Sequence, residues 1–99
     1  MEETEALRVL SALANPTRLR VFTMLAAAAD PGVSSGDIAQ AIGVPANLMS
    51  SHLAILQRAG LLKSTKVGRA VIYGASRNTL AELADHLAVL AGTGVCTPK

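Results

Sequence analysis

The sequence predicts a mainly helical domain that carries one small β-hairpin. Five segments place apolar residues at helical spacing, and two alternating segments, joined by a turn containing glycine, lie between the fourth and the fifth. The third and fourth helical segments are short, and only a tight turn separates them. This order is typical of a winged helix-turn-helix domain, in which a β-ribbon accompanies a pair of helices that binds DNA.

Size and composition indicate one domain that associates with a second copy. The chain has 99 residues, which is enough for a modest core. About half of them are apolar, many of these are alanine, and only two are aromatic. So much small apolar surface in a short chain favours burial of part of it in a homodimer. The single cysteine, Cys96, excludes an internal disulfide framework.

No segment of the sequence is predicted to cross a membrane or to direct secretion. The longest stretch without a formal charge, residues 38–57, is interrupted by Gln40, Pro45, Asn47 and several serines. The opening residues MEETEALR are acidic and helical, which is unlike a signal peptide. We therefore expect a cytoplasmic protein without a membrane partner.

Residues 2–14 are predicted to form the first helix. Its apolar residues occupy two neighbouring stripes, which are Leu7, Leu10 and Ala14, and Ala6, Val9 and Leu13. A helix with so wide an apolar arc is expected to contact both its own core and a partner chain.

The second helix is predicted to begin at Pro16, with Asn15 as its N-cap, and to end near residue 29. We expect Arg18 and Arg20 to face outward or toward acidic residues. The turn sequence Asp-Pro-Gly at residues 30–32 follows the helix. The side chains expected to point inward are Leu19, Phe22, Leu25 and Ala26.

Residues 34–60 contain the two helices of the predicted helix-turn-helix. Ser34 or Ser35 caps the first of them, and Gly43 ends it in a left-handed conformation. Pro45 then fixes the entry to the second helix. On the first helix the inward face is Ile38, Ala39 and Ile42; on the second it is Met49, Leu53 and Leu56.

The opposite face of the second helix is small and uncharged, and we interpret it as the face that enters the DNA major groove. It consists of Asn47, Leu48, Ser50, Ser51 and His52. Short polar side chains reach base edges without a flexible stem, so Asn47, Ser50 and Ser51 are the preferred candidates. His52 has two open interpretations, which are a DNA contact and a buried histidine bonded to the backbone.

After this helix the sequence predicts a basic β-hairpin. Gly60 ends the helix, and Leu61 and Leu62 anchor the chain that leaves it. Strands are predicted over residues 62–67 and 70–74, with Gly68 in the turn. Ile72 and Tyr73 are expected to pack on the helical body. The side chains expected to reach the DNA backbone or minor groove are Lys63, Lys66 and Arg69.

Charge is distributed unevenly along the chain. Residues 1–37 contain five acidic residues and three arginines, whereas residues 38–81 contain five basic residues and no acid. A cationic segment of this kind favours phosphate binding, since each neutralised phosphate releases counterions. The alternative is an ordinary solvated surface.

Residues 78–91 are predicted to form the last helix, with a leucine seam expected to pack on the first helix and on a second subunit. That seam is Leu80, Leu83, Leu87 and Leu90. A separate polar stripe carries Glu82, Asp85 and His86. We expect residues 1–92 to form the DNA-binding and dimerisation domain and residues 93–99 to form a flexible tail.

Three segments resemble the ArsR/SmtB family of bacterial metal- and metalloid-responsive repressors, over almost the whole chain. They are LANPTRLRVFTML, SSGDIAQAIGVPANLMSSHLAILQRAGLL and VGRAVIYGAS. The resemblance implies the architecture α-α-α-α-β-β-α, a homodimer formed through the first and last helices, and repression at palindromic double-stranded operator DNA. The loop GVSSGDIAQ and the C-terminal cysteine look most like the arsenic-responsive members with C-terminal cysteines.

The chain departs from the family's arsenic sites. It lacks the Cys-Val-Cys segment of one subgroup, and where another subgroup has a cysteine pair and a third cysteine it has only Cys96. One chain therefore cannot bind As(III) through three thiolates. Two Cys96 residues of a dimer would suffice for a singly substituted organoarsenical. The open alternative is a free surface thiol or the remnant of an altered sensing tail.

The family's zinc-sensing members carry Asp-x-His and a second pair of ligands on the last helix. Here Asp85 and His86 are adjacent and no second histidine follows. Tetrahedral zinc needs four ligands, or three and a water, so two chains would have to pool these residues with Glu82. A surface pair of an acid and a histidine is the simpler interpretation.

Two rival functions stay open. One is a winged-helix module that binds protein, against which the basic run from Arg58 to Arg77 argues. The other is a DNA-binding regulator that senses no ligand, or that senses redox state or reactive sulfur through Cys96; redox sensing would require an intersubunit disulfide. The sequence contains no catalytic set, because its one cysteine and two histidines lie apart, and we expect no enzyme activity.

Overall fold

The computed structural model describes residues 1–92, which form five helices and a three-stranded antiparallel sheet. Residues 93–99, including Cys96, lie outside the described residues. The predicted winged helix-turn-helix is confirmed, with one additional strand. The elements are α1 (Glu3–Leu13), α2 (Pro16–Ala27), β1 (Val33–Ser34), α3 (Ser35–Ile42), α4 (Ala46–Arg58), β2 (Leu62–Val67), β3 (Ala70–Ala75) and α5 (Arg77–Leu90).

Local side-chain caps fix where α2 and α3 begin. Asn15 Oδ1 accepts hydrogen bonds from the backbone N–H groups of Thr17 at 2.9 Å and Arg18 at 3.1 Å. Ser34 Oγ accepts from the N–H of Asp37 at 3.2 Å, so Ser34 rather than Ser35 is the cap of α3. These bonds satisfy donors that the first turn of a helix otherwise leaves free.

The core contains the inward faces predicted for α3 and α4, but α2 differs from its prediction. Ile38, Met49, Leu53 and Leu56 are at most 1% exposed. Leu19, expected to point inward, is 50% exposed, and Val21 is completely buried. Two residues correspond to about 200° around a helix, so Leu19 cannot share the face that Val21 occupies. Helix α2 also ends at Ala27, two residues before the predicted position.

The predicted hairpin forms with the expected turn. Val67 pairs with Ala70, so Gly68 and Arg69 make a two-residue connection in which Gly68 has a φ of 62°. A glycine at the first central position is typical of a II′ hairpin turn, which needs a positive φ there. Of the two residues expected to pack on the helical body, Tyr73 packs against the core, and Ile72, whose side chain lies on the opposite face of the strand, does not.

The sequence did not predict β1, which has only two residues and pairs with the outer side of β3. Val33 lies opposite Tyr73, and Ser34 lies opposite Ile72. Two residues are too few for an alternating pattern, so this strand has no periodic signal in the sequence. Pairing with β1 ties the loop before α3 to the sheet.

The approach to β1 requires glycine because two backbone segments touch there. A Cβ atom on Gly32, whose φ is 126°, would lie 2.0 Å from the carbonyl oxygen of Tyr73. A Cβ atom on Gly74 would lie 2.8 Å from the carbonyl oxygen of Pro31. Only residues without a side chain allow backbones to approach this closely.

Helices α1 and α5 contact each other and leave an apolar surface uncovered. Leu83 is buried, and Leu80 packs partly against the core. Four leucines are between 40% and 72% exposed: Leu87 and Leu90, which continue the predicted α5 seam, and Leu7 and Leu10 on α1. We call this surface the terminal-helix face; it consists of Leu7, Leu10, Leu87 and Leu90. Within residues 1–92, no helix combines the length and apolar character needed to cross a membrane.

Candidate nucleic-acid interface

Helix α4 is held on the core by one face and exposes the other. Helix α3 ends at Gly43, which has a φ of 82°, and Pro45 is the N-cap residue of α4. Met49, Leu53 and Leu56 recur at i, i+4 and i+7 and are buried. The outward residues at the start of the helix, all exposed, are Asn47, Leu48, Ser50 and Ser51. The predicted recognition face is therefore a solvent-facing surface on a fixed helix.

The exposed polar side chains of α4 differ in the hydrogen bonds that they have available. Ser50 Oγ donates to the carbonyl oxygen of Ala46 at 3.1 Å, so its proton is already used and its lone pairs remain. Asn47 and Ser51 make no side-chain hydrogen bond with other parts of residues 1–92. They are four residues apart and lie on the same side of the helix. These two side chains therefore have both donors and acceptors free for a ligand.

His52 is not the buried, backbone-bonded histidine of one interpretation, and the DNA contact of the other stays a prediction. It is half-buried, and its Nδ1 lies 3.4 Å from Nη1 of Arg18. Arg18, which was expected to face outward or toward acidic residues, is half-buried and bonds to backbone carbonyl oxygens. Its Nε donates to the carbonyl oxygen of Ala12 at 2.6 Å and its Nη2 to that of Ser11 at 3.3 Å. Arg18 thus lies between the end of α1 and the side of α4.

The hairpin is attached to α4 by a side-chain hydrogen bond. Gln57 Nε2 donates to Ser64 Oγ at 3.0 Å, which places Ser64 on the side of the sheet that faces the helix. Side chains alternate between the two faces of a strand, so Lys66 shares this side with Ser64. Arg69 lies at the tip, and both cations are exposed. Lys66 therefore extends the surface that begins on α4, and Arg69 is exposed at the end of the same hairpin.

Lys63, the third predicted cation of the hairpin, lies apart from the other two. It is opposite Gly74 on the other face of the sheet, where the segment containing Pro31 covers β3. There it lines a polar cavity of about 230 Å³ together with Asp30 and Arg77. Lys63 and Lys66 are three residues apart, an odd spacing that puts them on opposite faces of a strand. The spacing that separates the two lysines was therefore visible in the sequence.

The remaining basic residues of segment 38–81 also point to different places. Arg58 lines an open groove of about 470 Å³ between α1 and α4, together with Arg8. Arg77 Nη2 donates to the carbonyl oxygen of Ala26, near the end of α2. The cationic segment of the sequence is thus divided among several surfaces; on the hairpin, Lys66 lies on the α4 side and Arg69 lies at the tip.

The candidate metal ligands on α5 do not form a ligand set within one chain. Asp85 is exposed and His86 is half-buried. Nowhere in residues 1–92 do three or more His, Cys, Asp or Glu side chains come close enough to hold a metal ion together. A metal site that uses Asp85 and His86 would need further ligands from a second chain or from residues beyond 92.

Comparison with known proteins identifies relatives that regulate transcription. The family described as a helix-turn-helix domain matches residues 13–65, which run from the end of α1 into β2. The HTH-type transcriptional regulator NmtR of Mycobacterium tuberculosis is 34% identical over 77 residues, covering 78% of this chain and 62% of NmtR. CmtR of the same organism, also an HTH-type transcriptional regulator, is 34% identical over 88% of this chain and 71% of CmtR. This chain thus spans about three fifths of NmtR.

Solved structures give the same fold. An ArsR-like transcriptional regulator from Rhodococcus sp. RHA1 aligns with a TM-score of 0.81 at 31% identity, covering 90% of this chain and 81% of that one. A homodimeric winged helix-turn-helix DNA-binding domain from Mycobacterium bovis, described as a possible ArsR-family regulator, has a TM-score of 0.71 at 27% identity, with 90% and 80% coverage. A possible transcriptional regulator for arsenical resistance has a TM-score of 0.70 at 27% identity, with 82% and 81% coverage.

The similar proteins and the fold of this chain indicate the same family. The curated relatives are named as transcriptional regulators, so the expectation that this chain is not an enzyme is confirmed. Sequence matches above 30% identity, the match over residues 13–65 and the ArsR-like fold all point to one group of proteins. The chain belongs to the ArsR/SmtB family of winged helix-turn-helix transcriptional regulators.

Proposed function

We propose that this chain binds operator DNA as a homodimer and represses transcription until an inducer releases it. The observation that carries the proposal is the surface formed by α4 and the hairpin. A core-anchored helix presents Asn47 and Ser51 with free hydrogen-bonding groups, and Lys66 and Arg69 lie exposed on the adjoining hairpin. Uncharged short side chains beside a cationic ribbon suit a ligand that has base edges next to phosphates.

The two parts of this surface would recognise different features of DNA. Asn47 would bond a base edge in the major groove, where an amide can pair with adenine N6 and N7. Leu48, at 53% exposure, suits contact with a thymine methyl group. Lys66 and Arg69 would contact phosphates, which position the protein without reading sequence. Most of the discrimination would therefore come from α4 and most of the salt dependence from the hairpin.

The terminal-helix face is the proposed dimer interface. Leu7 and Leu90 are 59% and 72% exposed, and solvent-exposed leucines in this number on two touching helices favour burial against a second copy. The M. bovis neighbour is a homodimer with the same fold. Two copies related by a twofold axis would place their α4 helices in successive major grooves about 34 Å apart, which fits a palindromic operator.

We further propose a trivalent arsenical or another thiophilic metal or metalloid as the inducer. The likeness to a possible regulator for arsenical resistance supports this class of ligand. Cys96, which lies outside the described residues, is the one thiol in the sequence. Two copies of Cys96 in a dimer would supply two thiolates, which matches a methylarsenical. Zinc bound at Asp85 and His86 of both chains is the second candidate.

Release of DNA would follow from thermodynamic linkage. An inducer lowers DNA affinity only if it binds more tightly to the form of the dimer that does not fit the operator. A ligand near the ends of α1 and α5 would act there, because a change in the angle between the two subunits changes the separation of their α4 helices.

Fluorescence anisotropy with a duplex from the region upstream of the gene tests this proposal. Wild-type protein is expected to bind that duplex selectively, and methylarsenite is expected to release it. Cys96→Ser should bind DNA normally and fail to respond to methylarsenite. If zinc releases the wild-type protein from DNA and His86→Ala abolishes that release, the inducer site is on α5 instead. If peroxide releases the protein and an intersubunit disulfide forms, the protein is a redox sensor. Absence of any preference over a random duplex would contradict operator binding.

A further inference from the structure

Arg18 connects three helices through one guanidinium group. It belongs to the first turn of α2, and its side chain donates to two carbonyl oxygens in the last turn of α1. The same group approaches Nδ1 of His52 in the middle of α4 at 3.4 Å. The arginine is half-buried, so solvent reaches this junction only in part.

The two bonds to α1 hold the guanidinium in place. The last carbonyl groups of a helix have no partner within it, and a cation near them is favoured by the helix dipole. The Nε and Nη2 groups of arginine form a rigid planar fork, so two bonds to neighbouring carbonyls determine where Nη1 points. It points at His52.

The contact with His52 has a defined chemistry although it is long. Arginine has only donors, so a hydrogen bond here requires Nδ1 of His52 to accept. At 3.4 Å the contact is weaker than an ordinary N–H···N bond, and most of the stabilisation by Arg18 comes from its bonds to α1. The contact itself therefore adds little to the free energy of folding, and it joins the held guanidinium to the middle of α4.

We infer that Arg18 is a positioning residue for the recognition helix, and that it couples the end of α1 to α4. This inference rests on the proposed function, because it assigns to Arg18 an effect on operator binding. Helix α1 carries half of the terminal-helix face, so a shift of α1 in the dimer would move the guanidinium and, through His52, the reading face of α4. The effect of Arg18 on DNA is thus indirect, since each of its three guanidinium nitrogens contacts protein.

The test compares operator and random duplexes for Arg18→Gln, Arg18→Lys, His52→Ala and the double variant Arg18→Gln/His52→Ala. Arg20→Gln is the matched control, because Arg20 is two residues away on the same helix and is exposed. Arg18→Gln is expected to reduce the ratio of specific to non-specific affinity about five- to tenfold, and the double variant no further than the larger single effect. Arg18→Lys should show the same loss, since it keeps the charge and lacks the fork.

Three readouts separate this role from its alternatives. The dependence of non-specific binding on salt should be unchanged; a slope that falls by about one unit would make Arg18 a phosphate ligand and overturn the inference. If Arg18→Gln lowers the melting temperature but leaves the ratio of specific to non-specific affinity unchanged, Arg18 only caps α1 and the inference is wrong. The ring nitrogen signals of His52 in the free protein should shift in Arg18→Lys and not in Arg20→Gln, and unchanged signals would refute the contact. A wild-type chain that does not distinguish operator from random duplex would refute the proposed function itself.

Discussion

At the scale of single residues, the outward side chains of α4 are not equivalent. Ser50 has its proton bonded to the helix backbone, whereas Asn47 and Ser51 are free on the same side of the helix. A side chain already bonded to its own helix offers a base less than one that is unbonded. Substituting these residues should therefore change, to different extents, how strongly the protein prefers one base over another.

We predict that Asn47→Ala or Ser51→Ala relaxes discrimination at one base position by about 1–3 kcal/mol. The physical reason is the loss of a donor and acceptor that meet one base edge. Binding to a set of singly substituted operators measures this effect. Ser50→Ala is the comparison and should lose less. Equal weakening on every operator would contradict a base contact.

A second effect at this scale concerns the glycine next to β1. We predict that Gly32→Ala lowers the free energy of unfolding by more than about 2 kcal/mol, because the added Cβ collides with the Tyr73 carbonyl at a positive φ. Gly36→Ala is the control, since a Cβ there meets no atom within 4 Å. Urea denaturation measures the free energy of unfolding of both variants, and similar values would show that the loop can move away from β3.

At the scale of elements, the hairpin is a ribbon with two different faces. One face continues the surface of α4 through the bond from Gln57 to Ser64, and the other packs under the loop containing Pro31. The alternation of side chains decides which cations belong to which face. Net charge along the sequence does not contain this information.

We predict that Lys66→Ala and Arg69→Ala together weaken binding to all duplexes alike. The slope of log K against log salt should fall by about two units, one for each lost phosphate contact. Lys63→Ala removes the same charge from the opposite face of the hairpin and should change the slope less. Anisotropy titrations at several salt concentrations measure this slope for each variant. A change in base preference without a change in slope would refute the assignment of the hairpin.

At the scale of the whole molecule, the uncovered leucines of α1 and α5 indicate that the single chain is half of the working unit. Leu83 is buried within the chain, whereas Leu87 and Leu90, further along the same helix, are 40% and 72% exposed. The seam thus continues past the edge of the core of one chain. A second copy would cover it and would fix the distance between the two α4 helices.

We predict that Leu7→Glu/Leu90→Glu converts the dimer to folded monomers and weakens operator binding by more than tenfold. A buried carboxylate without a partner is costly at an interface and harmless on a free surface. Leu19→Glu is the matched control, because Leu19 is 50% exposed on α2, outside the terminal-helix face. Sedimentation equilibrium and circular dichroism measure association and folding. A dimeric double variant would place the interface elsewhere.

Much of this architecture could be read from local patterns. Asn15-Pro16, Ser34, Gly43 and Gly68 act within a few residues of themselves, so their caps and turns were predictable. The same holds for the buried seam of α4, which depends only on helical spacing. Leu19 was assigned wrongly because α2 is apolar on several sides, and its spacing alone does not select one face.

The sequence by itself determined the class of fold, the order of the helices and the hairpin, and the face of α4 that is free. Only the tertiary structure decided that Arg18 meets His52, that Lys63 lines a cavity with Asp30, and that a two-residue strand borders β3. The physical reason is distance along the chain. Caps, turns and helical faces are set by neighbours within about four residues, whereas these contacts join residues more than 30 positions apart and exist only after the core has formed.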